Sequence, residues 1–100
     1  MAIQAFIDHI SLEKKYSPNT LKAYKKNLDD FQKFILSNNF DISIEKVTYQ
    51  EIRSWIVFLV EQRNSRRTIN RKISVLASYY KFLLRIETIT ISPLKEHKAL

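Results

Sequence analysis

The sequence predicts an all-α fold, a bundle of four helices. Apolar residues recur at helical spacing in four separate segments, and polar break and cap residues divide those segments. The chain contains no glycine. Only one short stretch alternates as a strand would, which leaves a sheet without partners.

The first helix is predicted over residues 3–15, with Ile3, Phe6, Ile7 and Ile10 on one face. His9 lies within it and reads as a surface or half-buried structural residue. A break follows at residues 16–20, and it carries its own restart. Ser17 can cap, Pro18 suits the first helical position, and Asn19 and Thr20 occupy the first turn. The second helix runs to residue 37 and buries Leu21, Tyr24, Leu28, Phe31 and Ile35, while Lys22, Lys26 and Lys33 point away. Asn38 and Asn39 end it, because in a chain without glycine asparagine best tolerates the left-handed conformation of many helix ends.

Residues 40–47 are predicted as an extended loop whose apolar members, Phe40, Ile42, Ile44 and Val47, pack on the bundle. Thr48 and Glu51 form a capping box with Val47 as its hydrophobic staple. The third helix, residues 49–63, buries Ile52, Trp55, Ile56 and Leu59. Val57 and Val60 lie off that stripe, so this helix is either central in the bundle or faces another protein. Asn64 and Ser65 break it and cap the fourth helix, residues 65–85. Here Ile69, Ile73, Leu76, Tyr80 and Leu83 share one side, with Ala77 and Leu84 beside them. Val75 and Phe82 flank the opposite face, ready to pack against the loop or a partner. Beyond residue 85 the pattern fades, and Pro93 blocks regular helix before a polar tail. Tyr24, Phe31, Trp55 and Tyr80 recur with Leu and Ile at helical spacing, which marks them as core rather than as base-stacking surfaces.

Charge narrows the function. Seventeen Lys and Arg against ten Asp and Glu give a net charge of +7 and a pI near 9.8, a balance that favours an anionic partner. The excess is concentrated in two places. Lys14, Lys15, Lys22, Lys25 and Lys26 lie between Glu13 and Asp29; Arg63, Arg66, Arg67, Arg71, Lys72, Lys81 and Arg85 lie between Glu61 and Glu87. From Ser65 to Arg85 there is no acidic side chain. The face opposite the apolar stripe carries Arg67, Asn70, Arg71, Ser74, Ser78, Lys81 and Arg85, a set that can offer donors to phosphates and base edges while the two serines let the backbone approach. A basic face is also how a merely solvated helix looks.

With no cysteine, and with His9 and His97 far apart, neither a disulfide nor a metal site is expected, and no cofactor is called for. No apolar run approaches the roughly 20 residues that span a bilayer. The reading is a soluble, cytoplasmic chain of one domain, residues 1–94, with residues 95–100 as a tail or the start of a linker.

These features together resemble the N-terminal core-binding, SAM-like domain of tyrosine recombinases, the phage-integrase and Xer-type family. One signature region is Ser17, Pro18, Asn19 and Thr20, followed by Tyr24, Leu28, Phe31 and Phe34. The other runs from Ser65 through Arg66, Arg67, Thr68, Asn70, Arg71 and Ser74 to Leu76, Tyr79, Tyr80, Phe82 and Leu83. Ser92, Pro93 and Leu94 resemble the segment by which such domains leave their last helix. The match covers nearly the whole chain. Two departures stand out: Lys15 with Tyr16 and Glu87 with Thr88 stand where glycines are common before the second helix and after the fourth, and Ser92 stands where asparagine is usual.

The resemblance implies a SAM-like bundle that forms half of a clamp on a recombination site, with the second and fourth helices meeting double-stranded DNA. It implies as partners a C-terminal catalytic domain of the same protein and other recombinase protomers on the DNA, and no membrane. The strand-cleaving chemistry would lie in that other domain, so none of Tyr16, Tyr24, Tyr49, Tyr79 and Tyr80 is assigned as a nucleophile and no residue as catalytic. Candidate DNA-binding residues are Ser17, Asn19, Thr20, Lys22, Lys25, Lys26, Arg66, Arg67, Thr68, Asn70, Arg71, Ser74 and Ser78. Two other functions compete: a helical protein-interaction module docking through Val57, Val60, Val75 and Phe82, and a stand-alone helix-turn-helix regulator, disfavoured by the length of its helices.

Overall fold

A computed structural model of the chain describes residues 2–38, 42–95 and 97. Four α-helices follow one another: α1 (Ala2–Leu12), α2 (Pro18–Ser37), α3 (Tyr49–Glu61) and α4 (Arg66–Arg85). Among the described residues there is no strand. The segment expected to be an extended loop instead contains a single 3-10 turn, Ile44–Lys46, that drives Ile44 and Val47 into the core. Phe40 and Asn39 lie outside the described residues.

Local chemistry sets the helix starts. Pro18 opens α2 behind Ser17, whose Oγ accepts from the Thr20 amide at 3.2 Å. The same device starts α4, where Ser65 Oγ accepts from the Thr68 amide at 3.1 Å. Glu51 turns back on Thr48, accepting from its amide at 2.9 Å and from its hydroxyl at 3.0 Å, which accounts for a carboxylate that is nearly buried.

The helix ends correct two expectations. Asn38 closes α2 at φ −101°, outside the left-handed region. Its side-chain amide instead donates to the Phe34 carbonyl at 2.9 Å, satisfying one of the orphan acceptors of the last turn. Left-handed residues appear after the other three helices, at Lys15 (φ 52°), Arg63 (φ 65°) and Glu87 (φ 62°). After α4 the Glu87 amide returns to Leu84 and the Thr88 amide to Leu83; after α3 the Arg63 and Asn64 amides return to Val60 and Leu59. These are the bonds a glycine usually permits. Lys15, Arg63 and Glu87 therefore hold these left-handed turns at a steric cost that glycine would avoid. The first and third helices also stop short of their expected ends, at Leu12 and Glu61.

One core unites the helices, and α4 is its axis. Eight α4 residues are buried: Ile69, Ile73, Val75, Leu76, Tyr79, Tyr80, Phe82 and Leu83. That arc is wider than a single stripe because α1 covers a second side. Phe82 lies 5.6 Å from the Phe6 ring and 5.1 Å from His9, both centroid to centroid. Val75 and Phe82 are thus core residues rather than flanks of the basic face. Ala77 is exposed, and Leu84 sits at the boundary. The central helix is α4 and not α3, whose Val57 and Val60 stand 52% and 54% exposed. A docking surface that unites Val57 and Val60 with Val75 and Phe82 does not exist in this fold.

Tyr80 ties the axis to the 3-10 turn, donating to the Ile44 carbonyl at 2.6 Å, and Tyr79 donates to Glu45 Oε1 at 3.2 Å. Burial, then the neighbouring charges, pushes both phenols well above the usual tyrosine range. Neither is poised to become a phenolate nucleophile. Since the folded state favours the neutral phenols, their contribution is complete below pH about 10 and is lost as pH rises past it. Tyr80→Phe is expected to lower stability by about 1–3 kcal/mol by stranding a buried carbonyl. Urea denaturation at neutral pH measures it.

Candidate nucleic-acid interface

The sense of α2 against α4 decides which candidate residues meet. Tyr24, early in α2, shares a groove with Ser78, Lys81 and Arg85 near the end of α4. Asp30, Lys33 and Phe34, late in α2, share another with Lys72 near the start of α4. The two helices therefore run in opposite directions. Ser17, Asn19 and Thr20 lie at one end of the pair, and Arg66, Arg67, Thr68, Asn70 and Arg71 at the other. The structure does not gather the two signature regions into one patch; it places them at opposite ends of the α2–α4 pair.

Along α4 the polar stripe is continuous. Arg67, Arg71, Ser74, Ser78, Lys81 and Arg85 follow at intervals of three and four residues, which keeps them on one face. All are exposed except Ser78, which is half-buried, as are Thr68 and Asn70. With a rise of 1.5 Å per residue, Arg67 and Arg85 stand about 27 Å apart along the axis. Cations occupy both ends, and small hydroxyls occupy the middle. Ser74 donates its hydroxyl proton to the Asn70 carbonyl at 3.0 Å, so toward a ligand it offers lone pairs and little bulk. Among the described residues, none of Arg66, Arg67 and Arg71 makes an ion pair.

The α2 cations are differently placed. Lys25 pairs with Asp29 at 3.0 Å and Lys26 with Asp30 at 3.1 Å, both across one turn and both well exposed. Such pairs contribute only about 0.3–0.5 kcal/mol, so a phosphate can take either lysine away from its partner. Lys22 is exposed and in no ion pair among the described residues. The positive field of α2 is thus weaker than its lysine count suggests. The spacing of Lys25 to Asp29 and Lys26 to Asp30 carried that signal in the sequence.

Ser17 and Thr20 are occupied with each other: beyond the cap, their hydroxyls meet at 3.0 Å. Ser65 and Thr68 repeat this at 3.0 Å. Their first role is to start the two helices, while Asn19, Arg66 and Arg67, exposed in the same first turns, are left to face outward. The sequence reading passed over Lys14 as a site residue, although it lines the groove shared by Tyr24, Lys81 and Arg85. No group of three or more metal-ligating side chains occurs among the described residues, and none of the described helices is long and apolar enough to cross a membrane.

The family model described as phage integrase, N-terminal SAM-like domain, matches residues 3–87. Tyrosine recombinase XerC of Oceanobacillus iheyensis is 41% identical over 83 residues, covering 83% of this chain and 27% of that protein. The XerC of Listeria innocua is 40% identical over 88 residues, 88% of this chain and 29% of that protein, and that of Bacillus pumilus 35% identical over 91 residues, 91% and 30%. The chain spans less than a third of the length of these curated relatives. No solved structure matches it.

Proposed function

As the chain belongs to the phage integrase N-terminal SAM-like domain family, we propose that it is the DNA-binding part of a site-specific tyrosine recombinase. It clamps duplex DNA at the recombination site, inside the cell. The observation that carries this reading is the α4 stripe: cations at both ends that make no ion pair among the described residues, small hydroxyls between them, and no acidic side chain anywhere along the helix. Phosphates would be held by Lys22, Lys25, Lys26, Arg66 and Arg67. Asn19, Thr20, Asn70, Arg71 and Ser74 would reach the groove, while Ser17, Thr68 and Ser78 hold the local backbone against it. Residues 1–94 form the binding unit and 95–100 begin a linker to a separate catalytic domain, which supplies strand cleavage and rejoining. Ser92 supports that exit: its Oγ accepts from the Leu94 amide at 3.1 Å, the turn an asparagine would make in the same place.

Titration with duplex DNA at two salt concentrations tests the proposal. Affinity should fall steeply with salt, because each neutralised phosphate releases counterions; no binding at low salt rejects it. Lys22→Ala should weaken binding on every sequence and make the slope of log affinity against log salt shallower by about one unit. The double change Asp29→Asn and Asp30→Asn should raise affinity, because it frees Lys25 and Lys26 and removes two carboxylates from the DNA side of α2. If both variants behave as the unmodified chain does, α2 faces solvent.

A further inference from the structure

At the end of the α2–α4 pair where the α4 stripe runs out, α1, α2 and α4 enclose a groove of about 560 Å³, within the size range of small-ligand sites. Its wall is aromatic. Tyr16 and Tyr24 lie 5.6 Å apart, and Phe82 completes the surface beside Phe6. Its rim is cationic: Lys14, Lys81 and Arg85 line it, all three are exposed and in no ion pair among the described residues, and no carboxylate lines it. Ser78 belongs both to the α4 stripe and to this groove, so the two surfaces are continuous.

At these rings a duplex would engage only the cations, since the faces of its paired bases are stacked and out of reach. Half-buried rings beside unpaired cations suit a different ligand, one with an anionic backbone and an exposed planar face. We propose that this groove binds an unpaired nucleotide of a DNA strand, its phosphate between Lys14, Lys81 and Arg85 and its base against Tyr16 and Tyr24. The inference rests on the duplex-binding reading for its location, because a strand leaving the α4 stripe past Ser78 enters the groove. Burial, followed by the nearby Tyr16, pushes the Tyr24 phenol above its usual range.

Fluorescence anisotropy with three probes decides the matter: a blunt duplex, the same duplex with a short unpaired thymidine tail, and the same duplex with an abasic tail of equal length. The thymidine tail should bind about fivefold or more tightly than the abasic one, the least that stacking one base is worth. Lys14→Ala should reduce the gain from both tails and leave the blunt duplex little changed. Tyr16→Leu should remove the difference between the tails, and Tyr16→Phe should keep it, which separates the ring's contact with a base from any general loss of fold. Equal affinity for the two tails, or a difference that survives Tyr16→Leu, overturns the inference while blunt-duplex binding stands. Binding of the tailed probe without the blunt one would support the groove and reject the duplex reading.

Discussion

Trp55→Ala is expected to lower the free energy of unfolding by about 3–5 kcal/mol, the usual cost of deleting a large aromatic from a core. Trp55 is 1% exposed, and its ring sits 4.9 Å from Phe31, so it is the joint at which α3 is held to α2. Few other contacts between those helices are aromatic; Phe34 against Phe58 at 5.2 Å lies at the half-open edge of the same seam. For a domain of this size total stability is about 5–15 kcal/mol, so the variant should lose a large share of it and unfold at a lower temperature without any change to a cation. Trp55→Phe should recover much of the loss. Urea midpoints measure both; a loss below about 1 kcal/mol would mean that α3 is held elsewhere.

The helices themselves were legible because their signals are local. Ser17 with Thr20, Thr48 with Glu51, and Ser65 with Thr68 each make, in the structure, the bonds their spacing advertises. Their apolar stripes at Ile3 to Ile10, Ile52 to Leu59 and Ile69 to Leu83 are the residues found buried. What periodicity could not give was how many neighbours each helix has. Val75 and Phe82 looked like flanks because a single stripe was expected; both are buried, and the position of α1 against α4 makes Phe82 core. The 3-10 turn at Ile44 was hidden for a similar reason: it is fixed by the Tyr80 hydroxyl, which arrives from 36 residues away. Non-glycine residues in the left-handed region were hidden too, since Lys15, Arg63 and Glu87 carry no side-chain preference for it.

The candidate site was legible as a list of residues and not as a surface. Charge and resemblance both pointed to α2 and α4, yet neither says that the helices run in opposite senses, and that sense puts Asn19 and Arg71 at opposite ends. Pairing was readable and overlooked in Lys25 with Asp29 and Lys26 with Asp30. The groove at Tyr16 was not readable, because its walls come from three helices whose packing no local pattern encodes.

Arg71→Ala is expected to weaken binding to a cognate site by about 1–3 kcal/mol and to relax preference at one or two base pairs, the loss typical of an arginine that reads a guanine edge. Its position argues for this. Arg71 is exposed on the stripe, one turn before Ser74, where the side chains become small enough for the α4 backbone to approach a groove floor. It is in no ion pair among the described residues, so no internal partner has to be given up on binding. Arg67, one turn earlier and beside the helix start, is better placed for the phosphate wall, and Arg67→Ala should weaken cognate and random DNA alike and reduce the salt slope by about one unit. The two substitutions form a matched pair on one face of one helix. Competition binding with cognate and scrambled duplexes separates them. If Arg71→Ala also loses equally on both, Arg71 is a second phosphate contact, and base readout must come from the short polar side chains of the stripe, Asn70 and Ser74.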